Sequence, residues 1–151
     1  MQTKKHGYTF LELIRLEESE ITALERLAGS YAIIQCEGKI LLCYNRWREQ
    51  WELPAGMREA DETPKQCAIR ELYEETGQHI KELLFVGVAK SENEENGEIK
   101  YNPIYYGDLK QLMPFTANEE IVRIFLWDMV EVIDIIDEVD FAILQSIFHI
   151  I

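Results

Sequence analysis

The chain has 151 residues, of which 47 % are hydrophobic and 28 % charged, and its formal net charge at pH 7 is −13. This length suits one domain with a full hydrophobic core, so we expect a single domain over residues 1–151. The negative charge argues against broad nucleic-acid binding, which depends on Lys and Arg contacts with phosphates. No apolar run reaches the ~20 residues that span a bilayer, and the N-terminus lacks the pattern of a signal peptide. We therefore expect a cytoplasmic protein that does not bind membranes.

The chain begins with a predicted strand and a predicted helix. Residues 8–16 alternate between apolar and polar side chains, which is typical of a strand. Residues 19–29 indicate a helix, with Ser19 as its N-cap and Gly29 just after its end.

Two apolar runs follow, at residues 31–36 and 39–44. They are separated by Glu37-Gly38, which is a turn signal for a β-hairpin. Three cysteines, two of them in these runs, are too sparse for a disulfide framework or a zinc site: Cys36, Cys43 and Cys67. Cys36 and Cys43 could face each other across the hairpin, but we expect all three thiols to be free in a reducing cytoplasm.

Residues 45–50 predict a basic loop, and residues 51–56 predict a short strand that runs into a turn. A helix should follow, since both of its ends carry specific signals. These signals are Thr63 as N-cap, Pro64 at the first helical position, Gln66 as capping-box partner and Gly77 at the left-handed C-terminal cap.

The rest of the chain predicts three strands, at residues 82–90, 99–109 and 119–128, with a solvated acidic loop at residues 91–98. Residues 137–150 predict an amphipathic helix capped by Asp137. Strands outnumber helices and several are joined by hairpins. This order indicates an α+β fold, an α/β/α sandwich in which a mixed β-sheet packs between helices.

The helix after Thr63 carries several carboxylates. On a helical wheel with Glu71 at zero, Glu75 lies at about +40° and Glu74 at about −60°, so the three converge on one sector. A solvated acidic face would explain this pattern at little cost, since an exposed like-charge pair costs only about 0.2–0.5 kcal/mol. If the trio is sheltered, it would need divalent cations, and oxygen ligands suit Mg²⁺ or Mn²⁺.

The surrounding residues favour the metal interpretation. The segment resembles the Nudix box, the signature of the Nudix hydrolase superfamily, G-x5-E-x7-R-E-U-x-E-E-x-G-U, in which U is aliphatic. The matching residues are Gly56, Glu62, Arg70, Glu71, Leu72, Glu74, Glu75 and Gly77. The departure is Gln78, where the family prefers an aliphatic residue that packs the loop after the helix. The predicted strand, glycine turn and capped helix also fit this family.

The resemblance implies a role for each residue of the box. Glu74 and Glu75 are the leading ligands of Mg²⁺ or Mn²⁺, and Glu71 is a further ligand or the general base. The Gly56 carbonyl and Glu62 are additional ligands, the latter often through water. Arg70 orients the glutamates by salt bridges.

The reaction implied by the resemblance is hydrolysis of a nucleoside diphosphate linked to another group. The substrate would be a nucleoside triphosphate or a nucleotide sugar such as ADP-ribose. Cations would lie between the acidic protein and the acidic substrate. A catalytically silent Nudix-fold module that binds nucleotides or a partner protein is the alternative, although silent relatives commonly lose these glutamates. An isopentenyl diphosphate isomerase is disfavoured, because its additional histidines and catalytic cysteine have no obvious counterpart here.

Residues outside the box are candidates for further roles. Glu119 and Glu120 could supply a base or an extra ligand from a downstream loop, and Glu120 is assigned as a catalytic candidate. Four residues are candidates for substrate contacts, the tryptophans by stacking on a base and the arginines through phosphates: Trp47, Trp51, Arg46 and Arg48. A core or dimer-interface position for Trp51 is an equal alternative. Lys90 and Lys100 could also contact phosphates. Homodimerisation is possible, since it is common in the family.

Overall fold

The structure, a computed structural model, describes residues 2–149. In this part of the chain ten strands form one sheet, with one α-helix on each face. The strands are β1 (Thr3–Lys4), β2 (Tyr8–Ile14), β3 (Ser30–Cys36), β4 (Lys39–Asn45), β5 (Gln50–Glu52), β6 (Ala55–Gly56), β7 (Leu84–Asn93), β8 (Ile99–Leu109), β9 (Ile121–Trp127) and β10 (Ile136–Asp137). The helices are a 3-10 helix (Glu18–Ala23), α1 (Pro64–Thr76) and α2 (Glu138–Phe148).

The sheet is mixed, as the sequence predicts. Its main strand order is β1-β10-β5-β4-β3-β8-β7-β2, with β6 added beside β3 and β9 beside β4. The pairing of β3 with β8 is parallel, whereas the β3–β4 and β7–β8 pairs are antiparallel. β5 pairs with β4 and β6 pairs with β3, and between them the Pro54 carbonyl accepts the Ala32 N–H of β3 at 2.9 Å.

Adjacent residues of β3 point to opposite faces of the sheet, and each face has its own core. Ile34 packs on the face that α1 covers, in a cluster that includes Ala68 and Leu72. Ile33 packs on the other face, in a cluster with Ile143 and Leu144 of α2. The three layers confirm the predicted α/β/α arrangement.

Both ends of α1 have the predicted caps. The Gln66 N–H donates to Thr63 Oγ1 at 3.1 Å, and the Thr63 N–H donates to the Gln66 side-chain oxygen at 2.9 Å. Gly77 ends the helix at φ 76° and donates its N–H to the Tyr73 carbonyl at 2.8 Å. Asp137 caps α2 by accepting the Asp140 N–H at 3.0 Å.

The predicted helix over residues 19–29 is wrong beyond its first turns. The 3-10 helix ends at Ala23 and is capped by Glu17 rather than by Ser19. The following residues are drawn to the edge of β8, where the Ala28 N–H donates to the Tyr101 carbonyl at 2.7 Å. Pairing with a strand distant in sequence therefore outweighs the local preference for a helix.

Other boundaries differ by a few residues. The predicted hairpin forms, and its turn residues Glu37 and Gly38 both have positive φ angles, 54° and 76°. The acidic stretch 91–98 is shorter as a loop than predicted, since β7 continues to Asn93. All three cysteines are buried and free. Between residues 2 and 149 no helix is both long and apolar enough to traverse a bilayer.

The capping box of α1 gives a stability prediction. Thr63→Ala should lower the free energy of unfolding by about 1 kcal/mol, because the Gln66 N–H loses its acceptor. Thr63→Ser keeps the hydroxyl and should remain close to the original protein. Urea denaturation would measure both variants, and equal destabilisation by Ser and Ala would contradict the capping role.

Candidate active site

Helix α1 carries its glutamates beside its buried face, and Glu75 belongs to that face. Ala68 and Leu72 are fully buried in the core beneath the sheet, which fixes the rotation of the helix. Glu75 is 9 % exposed and the Glu71 side chain 16 %, whereas the Glu74 side chain is 54 % exposed. The three carboxylates are thus graded from a buried to an exposed position along one stripe of the helix.

Arg70 binds most of the acidic residues around it. Its Nε donates to Glu62 Oε2 at 2.7 Å, and its Nη1 donates to Glu71 Oε1 at 2.6 Å and to Glu74 Oε2 at 3.1 Å. Nη2 also donates to the Met57 carbonyl at 2.8 Å. The hydrogen bonds from Arg70 lower the pKa of Glu62 and raise that of Arg70 itself. Arg70 therefore ties the loop after β6 to the glutamates of α1.

Glu75 has no such cation. Its Oε1 accepts the Ala55 N–H at 2.8 Å. Burial raises its pKa to about 9, the bond from Ala55 opposes that shift, and the charges of Glu71, Glu120 and Glu52 add to it. A buried carboxyl group facing three other acids is in a position where added positive charge would be stabilising.

Because Gly56 has no side chain, the Glu71 carboxyl group can pack directly against its backbone. A Cβ atom at position 56 would overlap the Glu71 carboxyl group, so no larger residue fits without displacing it. The Gly56 carbonyl accepts a bond from the Cys67 thiol at 3.1 Å. Burial raises the pKa of Glu71, and the bond and charge of Arg70 partly oppose that increase.

Part of this cluster lies in one wall of a cleft of about 370 Å³, whereas Glu62, Arg70 and Glu74 do not line it. Gly56, Glu71 and Glu75 contribute from the α1 side, and Glu120 contributes from the segment before β9. Glu120 Oε2 accepts the Asn45 side-chain N–H at 2.9 Å. The cleft continues to Asp140 at the start of α2. Its volume is within the range of small-molecule sites.

The family model of the NUDIX domain matches residues 24–144, which is most of the chain. The chain belongs to the Nudix family.

Individual relatives agree with this assignment. A MutT-like protein of Streptomyces ambofaciens is 31% identical over 75 residues, which cover 50% of this chain and 49% of that protein. The match thus spans about half the length of this relative. Among solved structures, the Bacillus subtilis pyrophosphohydrolase BsRppH has a TM-score of 0.64 at 24% identity, covering 82% of this chain and 73% of that one. The NUDIX domain of Shewanella oneidensis NrtR, complexed with ADP ribose, has a TM-score of 0.68 at 14% identity, covering 89% and 98%. These structures show a shared fold.

Gln78, the departure from the Nudix box, is fully buried and hydrogen-bonded. Its side-chain oxygen accepts the Met113 N–H at 2.7 Å, and its Nε2 donates to the Met113 carbonyl at 2.9 Å. The amide thus replaces apolar packing with a paired contact to the loop around Met113.

The four predicted substrate-contact residues lie in different environments, and one of them lines the cleft. Trp51 is only 7 % exposed and packs against Tyr44 and Phe125 in the core, which leaves little ring surface for stacking on a base. The exposed residues Arg46 and Trp47 lie on the loop before β5, outside the cleft. Arg48 does line the cleft, where it forms a 3.0 Å ion pair with Glu52.

Sequence reasoning assigned no site role to several residues of the cleft. Asp140 is 4 % exposed, and its Oδ2 accepts the Leu53 N–H at 2.9 Å. Asn102, which is 6 % exposed, and Tyr31 also line the cleft. A signal for Asp140 was present, because it is an acid one turn before Ile143 and Leu144 on the apolar face of α2. Asn102 and Tyr31 carried no comparable signal.

The oxygen donors around Glu71 and Glu75 fit a hard divalent cation chemically. Over the described range 2–149, however, no three His, Cys, Asp or Glu side chains are grouped so that they could hold a metal ion. Arg70 donates hydrogen bonds to one oxygen of Glu71 and one of Glu74, which such an ion would need as ligands. Binding a cation at this position would therefore require these ion pairs to rearrange.

The buried position of Glu75 predicts a pH-dependent stability in EDTA. With a pKa of about 9, the folded protein keeps Glu75 protonated at pH 7, whereas the unfolded chain ionises it near its ordinary value of 4.5. Glu75 therefore destabilises the fold progressively as the pH rises between these two values. Glu75→Gln should remove this loss and raise the melting temperature at pH 8 by a few degrees.

Thermal unfolding at pH 5 and pH 8 would test this prediction. Glu59→Gln is the matched control, because Glu59 also contacts Arg70, at 3.2 Å, but its side chain is 67 % exposed. A Glu75→Gln variant whose melting temperature falls with pH as steeply as that of the control would contradict the prediction.

Proposed function

We propose that this Nudix protein is a pyrophosphohydrolase that depends on Mg²⁺ or Mn²⁺. Its substrate would be a nucleoside diphosphate linked to another group, either a nucleoside triphosphate or a nucleotide sugar such as ADP-ribose. The observation that carries the proposal is the pair of sheltered carboxyl groups, Glu71 and Glu75, in the wall of a cleft of about 370 Å³. The complex of the NrtR domain with ADP ribose supports nucleotide sugars as one substrate class.

The charge balance of the cleft supports metal dependence. A diphosphate would enter beside Glu71, Glu75 and Glu120, and Arg70, the cation that contacts Glu71, already contacts other carboxylates. A bound divalent cation would supply positive charge against both the carboxylates and the phosphate oxygens. We assign Glu74 and Glu75 as the leading ligands, with the Gly56 carbonyl and Glu62 as additional ones.

Arg70 would act as the residue that positions these ligands. In its present arrangement it holds Glu62, Glu71 and Glu74 within hydrogen-bonding distance. If Glu71 and Glu74 bound a cation directly, Arg70 would keep its bonds to Glu62, whose contact with the metal would then run through water. The guanidinium group would then keep the loop after β6 attached to α1.

Two residues are candidates for the base that takes the proton of the attacking water. Glu71 lies beside Gly56, and burial raises its pKa toward the range that suits a base. Glu120 lines the same cleft and is held by Asn45. Its neighbour Glu119 is exposed. The two assignments differ in which carboxylate must stay free of metal.

The alternative is a Nudix module that binds nucleotides without cleaving them. The complete set of Arg70, Glu71, Glu74 and Glu75 favours the enzyme. A single-domain organisation, a cytoplasmic location and a homodimer stay predictions from the sequence.

The proposed activity predicts metal-dependent release of phosphate. Nucleotide sugars, dinucleotides and nucleoside triphosphates would be incubated with Mg²⁺ or Mn²⁺, and phosphate measured after treatment with a phosphatase. Glu74→Gln and Glu75→Gln should each lower turnover about 100-fold or more, because each removes a group that stabilises the transition state through the cation. Glu71→Gln and Glu120→Gln would identify the base by the larger loss of kcat.

Glu59→Gln serves as the control, since this exposed residue lies outside the cleft and should retain turnover. Undiminished turnover in EDTA, or in either Glu74→Gln or Glu75→Gln, would refute the metal assignment. Tight nucleotide binding without turnover of any substrate would favour the silent module.

A further inference from the structure

Asn45, the last residue of β4, is fully buried although its side chain is polar. Its Oδ1 accepts the backbone N–H groups of Trp47 at 2.9 Å and of Arg48 at 3.1 Å. Because a backbone N–H can only donate, these two bonds determine which side of the amide is the oxygen. The loop that follows β4 therefore fixes the orientation of the Asn45 side chain.

The nitrogen of the same amide connects two carboxylates. Asn45 Nδ2 donates to Glu52 Oε1 at 3.1 Å and to Glu120 Oε2 at 2.9 Å. With two bonds at the oxygen and two at the nitrogen, each hydrogen-bonding position of the amide is occupied. Rotation of the side chain would leave buried polar groups unpaired, which is costly. Asn45 is therefore a rigid support for the two carboxylates that it contacts.

Glu120 lies in a loop just before β9, yet both its backbone and its side chain are held. Its N–H donates to Asn118 Oδ1 at 2.9 Å, and its carbonyl accepts the Arg46 N–H at 2.8 Å. The bond from Asn45 adds a third contact, at the carboxylate. The adjacent Glu119 is exposed, as is usual for an acid in a surface loop. The position of Glu120 is thus set by the fold.

The contact with Asn45 leaves part of the Glu120 carboxylate available. Asn45 binds Oε2, and the Glu120 side chain lines the cleft. A carboxylate has about four acceptor positions, so the other oxygen, Oε1, can receive a ligand that enters the cleft. The amide is also neutral, so it orients Glu120 without the charge compensation that Arg70 gives to Glu71. The negative charge of Glu120 therefore stays available to a proton or a cation.

We propose that Asn45 is a positioning residue that holds the Glu120 carboxylate in the wall of the cleft, and that it affects turnover only through Glu120. The amide sets the direction of Oε1, the oxygen that would take the proton of water or contact a cation in the proposed hydrolysis. Asn45 itself does not line the cleft, so it would not contact the substrate. A displacement of about 1 Å at a reacting group can cost about 100-fold in rate, so this role is measurable.

Asn45→Asp separates the positioning role from the structural one. The substituted side chain keeps an acceptor for the N–H groups of Trp47 and Arg48, but it has no donor for Glu120 and repels it. We expect kcat to fall about 10- to 100-fold. KM should change less than about threefold, because the uniform binding of substrate is not altered. The inference rests on the proposed function for this turnover readout alone.

Asn93→Asp is the matched control. Asn93 ends β7 outside the cleft, and its Oδ1 accepts the N–H groups of Glu95 at 2.9 Å and of Asn96 at 3.3 Å. These donors lie two and three positions ahead, as they do for Asn45. The control therefore makes the same change in the same kind of turn without a contact to Glu120. Its kcat and KM should stay within about twofold of those of the original protein.

A double-mutant cycle with Glu120→Gln tests whether Asn45 acts through Glu120. In the Glu120→Gln background, Asn45→Asp should lower kcat less than about twofold, because the group that it misplaces is already missing. Urea denaturation in EDTA gives a second readout that does not depend on turnover. There Glu120→Gln should offset part of the destabilisation that Asn45→Asp causes, since the amide at position 120 can donate to the carboxylate at position 45.

Equal fold losses of kcat from Asn45→Asp in both backgrounds would overturn the inference, because they would indicate a general structural effect. Full kcat in folded Asn45→Asp or in Glu120→Gln would overturn it as well, and so would additive effects of the two substitutions on unfolding. If the original protein turns over no substrate, the proposed hydrolysis is refuted. Non-additive unfolding in that case would still support Asn45 as the residue that holds Glu120.

Discussion

The backbone segment from Leu53 to Ala55 attaches both helices to one point of the sheet. The Leu53 N–H binds Asp140 of α2, and the Ala55 N–H binds Glu75 of α1. Pro54 lies between them and has no N–H, while its carbonyl accepts the Ala32 N–H at 2.9 Å. The segment therefore has no spare donor, and each buried carboxyl group has a fixed backbone partner. This constraint determines where the two halves of the cleft face each other.

The same constraint explains why the residues of the cleft lower the stability of the fold. Arg70 balances the acids at one edge and Arg48 balances Glu52, but Glu75 and Asp140 have no cation and are buried. Burial raises the pKa of both groups, so keeping them ionisable inside the fold carries a penalty. A neutral amide of the same shape would keep each backbone hydrogen bond without the burial penalty of an ionisable carboxyl group. Two buried acids without a cation, on opposite sides of one cleft, mark it as the candidate functional site.

Local interactions account for what could be predicted from the sequence. The caps of α1 involve residues within a few positions of each other, so Thr63, Gln66 and Gly77 could be assigned without knowing the fold. Residues 24–28 are not helical because they pair with β8, more than 70 positions away. The core position of Trp51 depends on its contact with Phe125. Those outcomes are set by the pairing of distant strands, which propensity and periodicity do not encode.

The two sides of the cleft also differ in how far the sequence predicts them. The side next to α1 comes mainly from residues 56–75, and the helical repeat brings Glu71 and Glu75 onto one stripe. One contiguous segment therefore suffices to indicate a reaction class. The opposite side is assembled from β3, β8 and α2, with Asn102 and Asp140 separated by 38 positions in the chain. Since such residues can change without disturbing α1, one fold can keep a single reaction while varying the group that it recognises. Substrate identity must therefore be sought in the long-range contacts of the cleft.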